Sequence, residues 1–542
     1  MSDVLLEVDS LAVQYGAVSA VNWVNFKLER NRVLGIVGES GSGKSTLIWA
    51  LTRLLPEMAT ISSGAVWFEG KDLLRLPRDE LQALRGTRIS YISQDPMSAL
   101  TPALTVGQQM IDVLYREPWS KKEKWSRCVD ALDWVSMPDP AARMKMYPYE
   151  LSGGQRQRVS IAMALMLEPD LVIADEPTTA LDATLEVEIL DLLRRLQRET
   201  GSAVIFVTHH LGVVSSLCDD VLVMNHGDVV ESGPVSEVFT NPAHEYTRML
   251  LRCDPARIGQ ATRRLPTMAD NLETAVEIFR GPADRIKTEE PLVLEISELS
   301  VTFTKDSALP RWLGGRPQEI HAVRNANLDI RKGETLALVG ESGSGKTTIA
   351  RSILGLVSPN TGIINVAGHQ VDRAHSDTLQ AMRACTSMMF QDPVGSLSPR
   401  MTIGDQILEP FIVQGRADYH RQATVDNLLR NVGLPEDFAA RYPHELSGGQ
   451  ARRVGVARAL ALDPKLIIAD EPTAGLDVSV QGEVLNLLNE IQERTGVSIL
   501  IITHNMSVVR HCADRVVVLL KGEIVEAGPC AQIFNTPAHD YT

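Results

Sequence analysis

Two nine-residue segments combine glycine, lysine and hydroxyl side chains at the spacing of a loop that binds nucleotide phosphates. They are GESGSGKST at Gly38–Thr46 and GESGSGKTT at Gly340–Thr348. Glycines let backbone N–H groups close around phosphate oxygens, and a following helix points its positive N-terminus at them. The lysines, Lys44 and Lys346, can reach the outer phosphates, and Ser45 and Thr347 can offer a hydroxyl to Mg²⁺. The full predicted set of loop residues is Gly38, Glu39, Ser40, Gly41, Ser42, Gly43, Lys44, Ser45, Thr46, Gly340, Glu341, Ser342, Gly343, Ser344, Gly345, Lys346, Thr347 and Thr348.

An acidic pair ends an apolar segment downstream of each loop. The pairs are Asp175-Glu176 in LVIADE and Asp470-Glu471 in LIIADE. The aspartate of each pair is the predicted Mg²⁺ ligand. The adjacent glutamate is the predicted catalytic base, because a carboxylate that polarises a water is worth about 10²–10⁴-fold in rate.

The chain is an internal duplication. The phosphate loop recurs at an offset of 340 − 38 = 302 residues, and LSGGQ at Leu151–Gln155 recurs at Leu446–Gln450, an offset of 295. The acidic strand also recurs at 295, whereas the opening strands of the copies are only 288 apart, so DSALPRWLGGRPQE is the expected insert of copy two. A near-constant offset indicates two domains. We predict domains at 1–252 and 291–542, joined by a linker at 253–290.

The elements that must position these groups read as alternating strands and helices. VLGIVGESGSGKSTLIWAL is an apolar strand, a glycine turn and a helix, while LVIADE and AVIFVTHH read as further buried strands. This alternation predicts an α/β core in each copy.

Composition excludes several classes of protein. The net charge of −15 and pI near 5.4 argue against general binding of nucleic acid. The six cysteines form no CxxC pair, so neither zinc nor a disulfide framework is expected, and a reducing compartment fits. No signal peptide or spanning segment is expected. Copy one continues into RMLLR where the sequence stops at Thr542, so we expect the natural chain to extend further.

LSGGQ, between the phosphate loop and the acidic strand, gives a resemblance to the ABC ATPases over nearly the whole chain. The resemblance implies two ABC-type P-loop NTPase domains arranged head-to-tail. Each would have a RecA-like α/β core, a helical subdomain and an antiparallel β subdomain. In that family the LSGGQ residues cap a helix that completes the ATP site of the opposite domain. The matching residues are Ser152, Gly153, Gly154 and Gln155, and Ser447, Gly448, Gly449 and Gln450.

The resemblance also assigns a glutamine and a histidine to each copy. Gln94 and Gln391 match the glutamine that contacts Mg²⁺ and the attacking water. His209 and His504 match the switch histidine, which contacts the γ-phosphate. His210 and Asn505 depart from the family, which usually has an acidic residue after that histidine, and copy two reads LSGGQARR where copy one reads LSGGQRQR. Neither change removes a group assigned to chemistry, so we predict two competent sites.

Four further positions match the family's site with different degrees of ambiguity. Asp182 and Asp477 match the loop that couples the two sites. Tyr15 and Phe303 match the aromatic residue that stacks on adenine. Each aromatic also continues an alternating strand face, so a place in the core is the alternative.

The details resemble the fused peptide/nickel-type importer ATPases. In that subfamily the segments around Gln94–Leu104 and Gln391–Met401 receive helices of two transmembrane permeases, and an extracytoplasmic binding protein delivers the cargo. The expected activity is ATP hydrolysis with ATP and Mg²⁺ at the cytoplasmic face of the inner membrane, with no nucleic acid and with no self-dimer needed for the ATP sites. Site one would pair Lys44, Asp175, Glu176 and His209 with Ser447–Gln450, and site two Lys346, Asp470, Glu471 and His504 with Ser152–Gln155.

Two other classes of tandem ABC protein fit the sequence less well. A ribosome-acting factor would need a longer, basic linker, whereas this one has 38 residues with six basic and seven acidic side chains. A DNA-repair or chromosome ATPase would need inserted zinc fingers or coiled coils, which the sequence lacks. The ATPase does not determine the cargo, so peptides, glutathione-like molecules, nickel, opines and sugars stay open.

Overall fold

The chain forms two compact units, Met1–Asp254 and Pro255–Thr542. The structure, a computed structural model, describes residues 4–95, 99–178, 183–259, 262, 264–268, 270, 290–305, 318–416 and 420–542. The predicted insert of copy two and most of the predicted linker fall outside these residues. The domain boundaries at 252 and 291 therefore stay a prediction.

The first unit is built around a mainly parallel sheet in the order β10-β9-β3-β8-β7-β6. Its central strands are short apolar runs buried on both faces, as expected of parallel strands covered by helices. A second, antiparallel sheet has the order β2-β1-β4-β5. The strands are β1 Val4–Tyr15, β2 Val18–Glu29, β3 Val33–Val37, β4 Ala59–Phe68, β5 Lys71–Asp72, β6 Ile89–Ile92, β7 Leu171–Asp175, β8 Ala203–Val207, β9 Asp220–Asn225 and β10 Asp228–Pro234.

Helices cover the parallel sheet and form a separate helical region between β6 and β7. Capping boxes begin two helices of that region, at Thr105 and Ser120, where side chain and backbone satisfy each other's end groups. The helices of the first unit are Lys44–Leu51, Arg78–Leu84, Val106–Val113, Lys121–Trp134, Pro140–Arg143, Gly153–Leu165, Ala183–Thr200, Leu211–Leu217, Val235–Val238 and Glu245–Arg252.

The second unit repeats this architecture. Its sheets have the orders β16-β17-β18-β13-β19-β20 and β12-β11-β14-β15. The strands are β11 Leu292–Lys305, β12 Gln318–Arg331, β13 Thr335–Val339, β14 Thr361–Val366, β15 His369–Gln370, β16 Thr386–Met389, β17 Leu466–Asp470, β18 Ser498–Thr503, β19 Arg515–Leu520 and β20 Glu523–Pro529. The helices are Lys346–Ile353, Ser376–Cys385, Ile403–Val413, Arg421–Asn431, Gly448–Leu460, Val478–Thr495, Met506–Cys512 and Cys530–Asn535. The predicted fold class is confirmed: each unit has an α/β core, an antiparallel sheet and a helical region.

Part of the predicted linker is packed on the second unit. We call the described residues between 255 and 270 the docked segment. Leu265 lies in the hydrophobic core beside the helix Val478–Thr495, and the Asn486 side chain both accepts from and donates to the Leu265 backbone at 2.8 Å. His511 is buried and contacts the Pro255 carbonyl through Nε2 at 3.1 Å. Burial lowers the pKa of His511, which favours the neutral ring.

In the part of the chain that the structure describes, no helix has the length and apolarity needed to cross a bilayer.

Candidate functional site

The first phosphate loop lies between β3 and the helix that begins at Lys44. Gly41 and Gly43 have φ of +79° and +100°, a conformation that side chains disfavour. At Gly43 the space is also closed, because a Cβ would lie 2.3 Å from the Ala20 carbonyl oxygen. Lys44 Nζ donates to the carbonyls of Gly38 and Glu39 at 2.7 and 2.8 Å, so its ammonium lies within the loop.

The second loop has the same geometry. Gly345 has φ of +110°, and its Cβ would lie 2.3 Å from the Ala322 carbonyl oxygen. Lys346 Nζ donates to the carbonyls of Gly340 and Glu341, both at 2.7 Å. Both loops thus present a glycine cradle at the start of a helix, with a lysine ammonium inside, which suits the phosphates of ATP.

Each acidic pair stands at the end of its buried strand. Asp175 ends β7 and Asp470 ends β17. Both lie at the carboxyl-terminal edge of the parallel strands, which is also the edge at which the phosphate loop leaves the sheet. Ser45 and Thr347 are the second residues of the helices that follow the loops. A hydroxyl and a carboxylate are hard oxygen ligands, so this donor set fits Mg²⁺.

Both predicted catalytic glutamates have a left-handed backbone, with φ of +44° at Glu176 and +50° at Glu471. A non-glycine residue in this region costs of order 1–3 kcal/mol and persists only where the surroundings hold it. The repetition of this conformation at both equivalent positions indicates that it aims the carboxylates.

In the first unit the Glu176 carboxylate links two predicted site residues. Gln94 Nε2 donates to Glu176 Oε2 at 2.9 Å, and His209 Nδ1 lies 3.1 Å from Glu176 Oε1. The glutamine, the glutamate and the switch histidine therefore form one hydrogen-bonded row. Such a row can hold a water at the carboxylate in a fixed orientation.

In the second unit Glu471 has one equivalent partner and one different one. His504 Nδ1 lies 2.8 Å from Glu471 Oε1, as in the first unit. The other carboxylate oxygen, Glu471 Oε2, accepts from the Thr503 hydroxyl at 3.2 Å. Gln391 is exposed at the surface next to this site.

The two predicted Mg²⁺ aspartates have different neighbours. The Tyr91 hydroxyl donates to Asp175 Oδ2 at 2.8 Å, and Trp49 Nε1 lies 3.3 Å from that hydroxyl. Burial raises the pKa of Asp175, and the Tyr91 hydrogen bond opposes the rise. Burial and the adjacent Glu471 raise the pKa of Asp470 to about 6, with Lys346 and Arg351 opposing.

The LSGGQ residues form the N-terminus of a helix in each unit, as predicted. The Ser152 side chain caps Gly153–Leu165 by accepting from the Gln155 N–H at 3.3 Å. The Gln155 side chain in turn accepts from the Ser152 N–H at 3.2 Å. Ser447 and Gln450 repeat this capping box at Gly448–Leu460. A Cβ on Gly153 or Gly448 would meet nothing within 4 Å, so the helix end is open on that side.

The two predicted adenine-stacking residues are only partly covered. Leu11 and Val13 are buried, but the next residue on that strand face, Tyr15, is half-buried, with its hydroxyl 3.4 Å from Thr46 Oγ1 of the first loop. Phe303 is 44% exposed. Neither ring is a core side chain, which favours the stacking role, and that role stays a prediction. Asp182 lies outside the described residues, whereas Asp477 immediately precedes the helix Val478–Thr495.

Sequence reasoning missed Tyr91 and Thr503. Tyr91 lies three residues before Gln94 in YISQDP, and Thr503 directly precedes His504 in ITHN. Neither residue type by itself indicates a hydrogen bond to a carboxylate of the site. The parallel pairing of β6 with β7 places Tyr91 beside the strand that ends in Asp175. For Tyr91, the pairing of these two strands is the signal that could have indicated the contact.

Comparison with known proteins identifies the family. The family model for ABC transporters matches residues 21–179 and 323–474. The chain belongs to the ABC transporter family. It is an ABC-type ATPase with two ATP-binding domains. The model for the C-terminal region of oligopeptide/dipeptide transporters also matches, at residues 230–282.

Similar proteins are known from enteric bacteria. The glutathione import ATP-binding protein GsiA of Salmonella typhimurium (strain LT2) is 42% identical over 537 residues, which is 97% of this chain and 85% of the relative. GsiA of Escherichia coli (strain K12) is 42% identical over 542 residues, with the same coverage. Among solved structures, the dimeric post-hydrolysis state of the ATP-binding cassette MJ0796 bound to ADP and Pi is 29% identical, covers 44% of this chain and 98% of that one, and has a TM-score of 0.38.

Proposed function

We propose that this chain is the ATP-hydrolysing subunit of a membrane importer for glutathione or small peptides. The observation that carries the activity is the repeated set of a phosphate loop, a positive-φ glutamate and a histidine bonded to it, present in both units. The import relatives and the oligopeptide/dipeptide C-terminal match support the transport role and the cargo class. They favour it over a ribosome-acting factor.

Each site is proposed to use one unit's loop and the other unit's LSGGQ helix. The loop amides and Lys44 or Lys346 would bind the phosphates, and Ser45 with Asp175, or Thr347 with Asp470, would hold Mg²⁺, together with Gln94 or Gln391. Mg²⁺ would supply positive charge to the phosphate oxygens. The open N-terminus of the LSGGQ helix would contribute further N–H donors.

Glu176 and Glu471 are the proposed general bases. Because each carboxylate is fixed by the switch histidine, it can accept a proton from a water aligned with the outer phosphate. His209 and His504 would hold the glutamate in place and report the presence of the γ-phosphate. Closure and reopening of the two halves would then follow ATP binding and hydrolysis.

A groove in the second unit is the proposed docking site for one permease. It has a volume of about 280 Å³ and lies beside Gln391. Its lining includes the apolar side chains Phe390 and Leu356, which are 49% and 53% exposed. Such exposed apolar surface suits a helix of a partner chain. Two permeases, with an extracytoplasmic binding protein, would place the chain at the cytoplasmic face of the inner membrane.

The activity is tested by replacing both proposed bases. The Glu176→Gln, Glu471→Gln chain should bind ATP with unchanged affinity, because the phosphate loops are intact, while its ATPase rate falls at least 100-fold. Glu80→Gln with Glu490→Gln is the matched control, since both glutamates are exposed on helices. An undiminished ATPase rate in the first variant would rule out the assignment.

The transport role needs its own experiment. The chain should co-purify with two membrane permeases, and cells lacking it should lose ATP-dependent uptake of radiolabelled glutathione or a labelled dipeptide. Wild-type chain, but not the double glutamine variant, should restore that uptake. Co-purification with ribosomes instead would overturn the importer proposal and leave the ATPase assignment intact.

A further inference from the structure

Arg452 is a buried arginine that joins three segments of the second ATP site. It lies in the helix Gly448–Leu460, two residues after the LSGGQ glutamine Gln450, and only 2% of it is exposed. Its Nη1 donates to the carbonyls of Gln391 at 3.1 Å and Glu471 at 3.3 Å, and its Nη2 donates to the carbonyl of Ala474 at 3.0 Å.

These three carbonyls belong to parts of the site with different roles. Gln391 is the family's glutamine, Glu471 is the proposed base, and Ala474 lies three residues before Asp477. The Ala474 N–H already donates to the Glu471 carbonyl at 3.1 Å, so Arg452 adds the link from these two residues to the backbone of Gln391. A guanidinium is planar and carries five N–H donors in a fixed fork, so it can hold several acceptors in one geometry.

Arg452 also lines the groove beside Phe390 and Arg458. Its side chain therefore lies between the proposed permease surface and the interior of the ATP site. Burial lowers the pKa of Arg452, while Asp392 and Glu471 oppose this change. A permanently charged donor with carboxylates nearby is well suited to a fixed structural tie.

The first unit has a different residue at this position. Alignment of LSGGQARR with LSGGQRQR places Gln157 opposite Arg452 and Arg158 opposite Arg453. Gln157 is also buried, but its amide offers only two N–H donors from one nitrogen, which cannot reach three separated carbonyls. By contrast, Arg158 and Arg453 make matching contacts, with the carbonyls of Val135 and Val432. The units also differ one residue earlier, where Arg156 stands opposite Ala451, but Arg156 donates to the carbonyls of Pro148 and Leu151 and not to the glutamine or glutamate segments.

We propose that Arg452 is a positioning residue specific to the second ATP site, where it fixes the glutamine loop relative to the catalytic glutamate. This inference rests on the proposed ATPase function. Movement of the Gln391 backbone would be passed by the guanidinium to the backbone of Glu471, whose strained φ aims the carboxylate. The first site lacks this link, so the two sites are held in place by different means.

The test compares Arg452→Gln with Arg453→Gln in the purified full-length chain. Arg452→Gln installs the residue of the first unit and should slow turnover at the second site roughly 10-fold, because small misplacements of catalytic groups are costly. Since the first site stays intact, kcat of the whole chain should fall to about half, with KM within about twofold. Arg453→Gln is the matched control on the adjacent residue. It should leave kcat unchanged, since Arg453 contacts Val432 and Glu483 away from the site. Circular dichroism melting shows whether each variant is folded.

A double-mutant comparison assigns the effect to one site. Glu176→Asp and Glu471→Asp each keep a carboxylate, so residual turnover remains measurable. Arg452→Gln should lower kcat further in the Glu176→Asp chain and have less than a twofold effect in the Glu471→Asp chain, because the group that it positions is already displaced.

Three results would overturn the proposal: an unchanged kcat in Arg452→Gln, an equal loss in Arg453→Gln, or the same further loss in both aspartate backgrounds. Recovery of more than half of the lost kcat by Arg452→Lys in the Glu176→Asp chain would also contradict it, since a point charge cannot reproduce the three-way fork. A wild-type chain without ATPase activity would refute the proposed function itself, which is a different outcome from an active chain that is indifferent to Arg452.

Discussion

The docked segment predicts a local, measurable effect of Asn486. Asn486→Ala removes the amide that accepts from the Leu265 N–H and donates to the Leu265 carbonyl, both at 2.8 Å. These are the only two backbone hydrogen-bonding groups of that residue, and Leu265 is buried. The substitution therefore leaves both without a partner unless the segment detaches into water.

The cost follows from these two bonds. A typical hydrogen bond contributes about 0.5–1.5 kcal/mol, and a buried group left unpaired costs about 1–3 kcal/mol. We expect the segment to be less strongly docked by about 2–4 kcal/mol. The central strands of the second unit hydrogen-bond to one another and not to this segment, so the effect should be local detachment and not global unfolding. A change of this size raises the population of the open segment roughly 30- to 800-fold.

Hydrogen exchange read by mass spectrometry measures that population directly. Peptides that contain residues 262–268 should exchange faster by roughly that factor in Asn486→Ala, while peptides from β13 and β17 keep their protection. Asn427→Ala is the matched control, because Asn427 is an exposed helical asparagine that accepts from Arg430 at 2.9 Å. It should change stability by less than about 0.5 kcal/mol. Unaltered exchange around Leu265 in folded Asn486→Ala would refute the reasoning.

Two further predictions concern the first ATP site. Tyr91→Phe removes the hydroxyl that lowers the pKa of Asp175, so that pKa should rise and the carboxylate should protonate at a higher pH. The acidic limb of the Mg²⁺-dependent ATPase profile should move to higher pH, whereas Tyr115→Phe, an exposed tyrosine, should not move it; identical profiles would contradict the role of Tyr91. Gly43→Ala places a Cβ 2.3 Å from the Ala20 carbonyl and should weaken ATP binding more than 10-fold. Gly41→Ala is the control, because its Cβ would meet nothing within 4 Å and only backbone strain of about 1–2 kcal/mol is expected. If the two variants lost ATP affinity and melting temperature equally, the close contact at Gly43 would not be what matters.

The sequence predicts the fold class and the main site groups because each of these signals lies within one short segment of the chain. A phosphate loop needs glycine, lysine and a hydroxyl within one short segment, and the apolar runs before it and before Asp175 are short and contain β-branched residues, which favours buried strands. Duplication doubles each signal. The hydrogen bonds of Glu176 with Gln94 and His209 then follow, since the sheet brings the ends of neighbouring strands together.

Contacts between distant segments could not be predicted in the same way. Asn486 reads as an ordinary polar residue on an apolar helix, and only the structure shows that its partner is 221 positions earlier in the chain. Arg452 looks like one more basic residue after LSGGQ. Its role depends on which face of the helix is buried against the glutamine loop, and a charged residue in a sequence normally indicates an exposed face.

The two proposed ATP sites share the residues assigned to catalysis and differ in the neighbours of those residues. After the switch histidine, His210 Nδ1 lies 3.2 Å from Glu186, which also accepts from Thr178, whereas Asn505 caps the helix Met506–Cys512. Asp175 bonds to Tyr91, and Asp470 has Arg351 nearby. The prediction of two competent sites rests on the shared loop, glutamate and histidine. Equal rates of ATP hydrolysis at the two sites do not follow from that prediction. The orientation and the pKa of a carboxylate depend on its neighbours, and these neighbours differ between the two units.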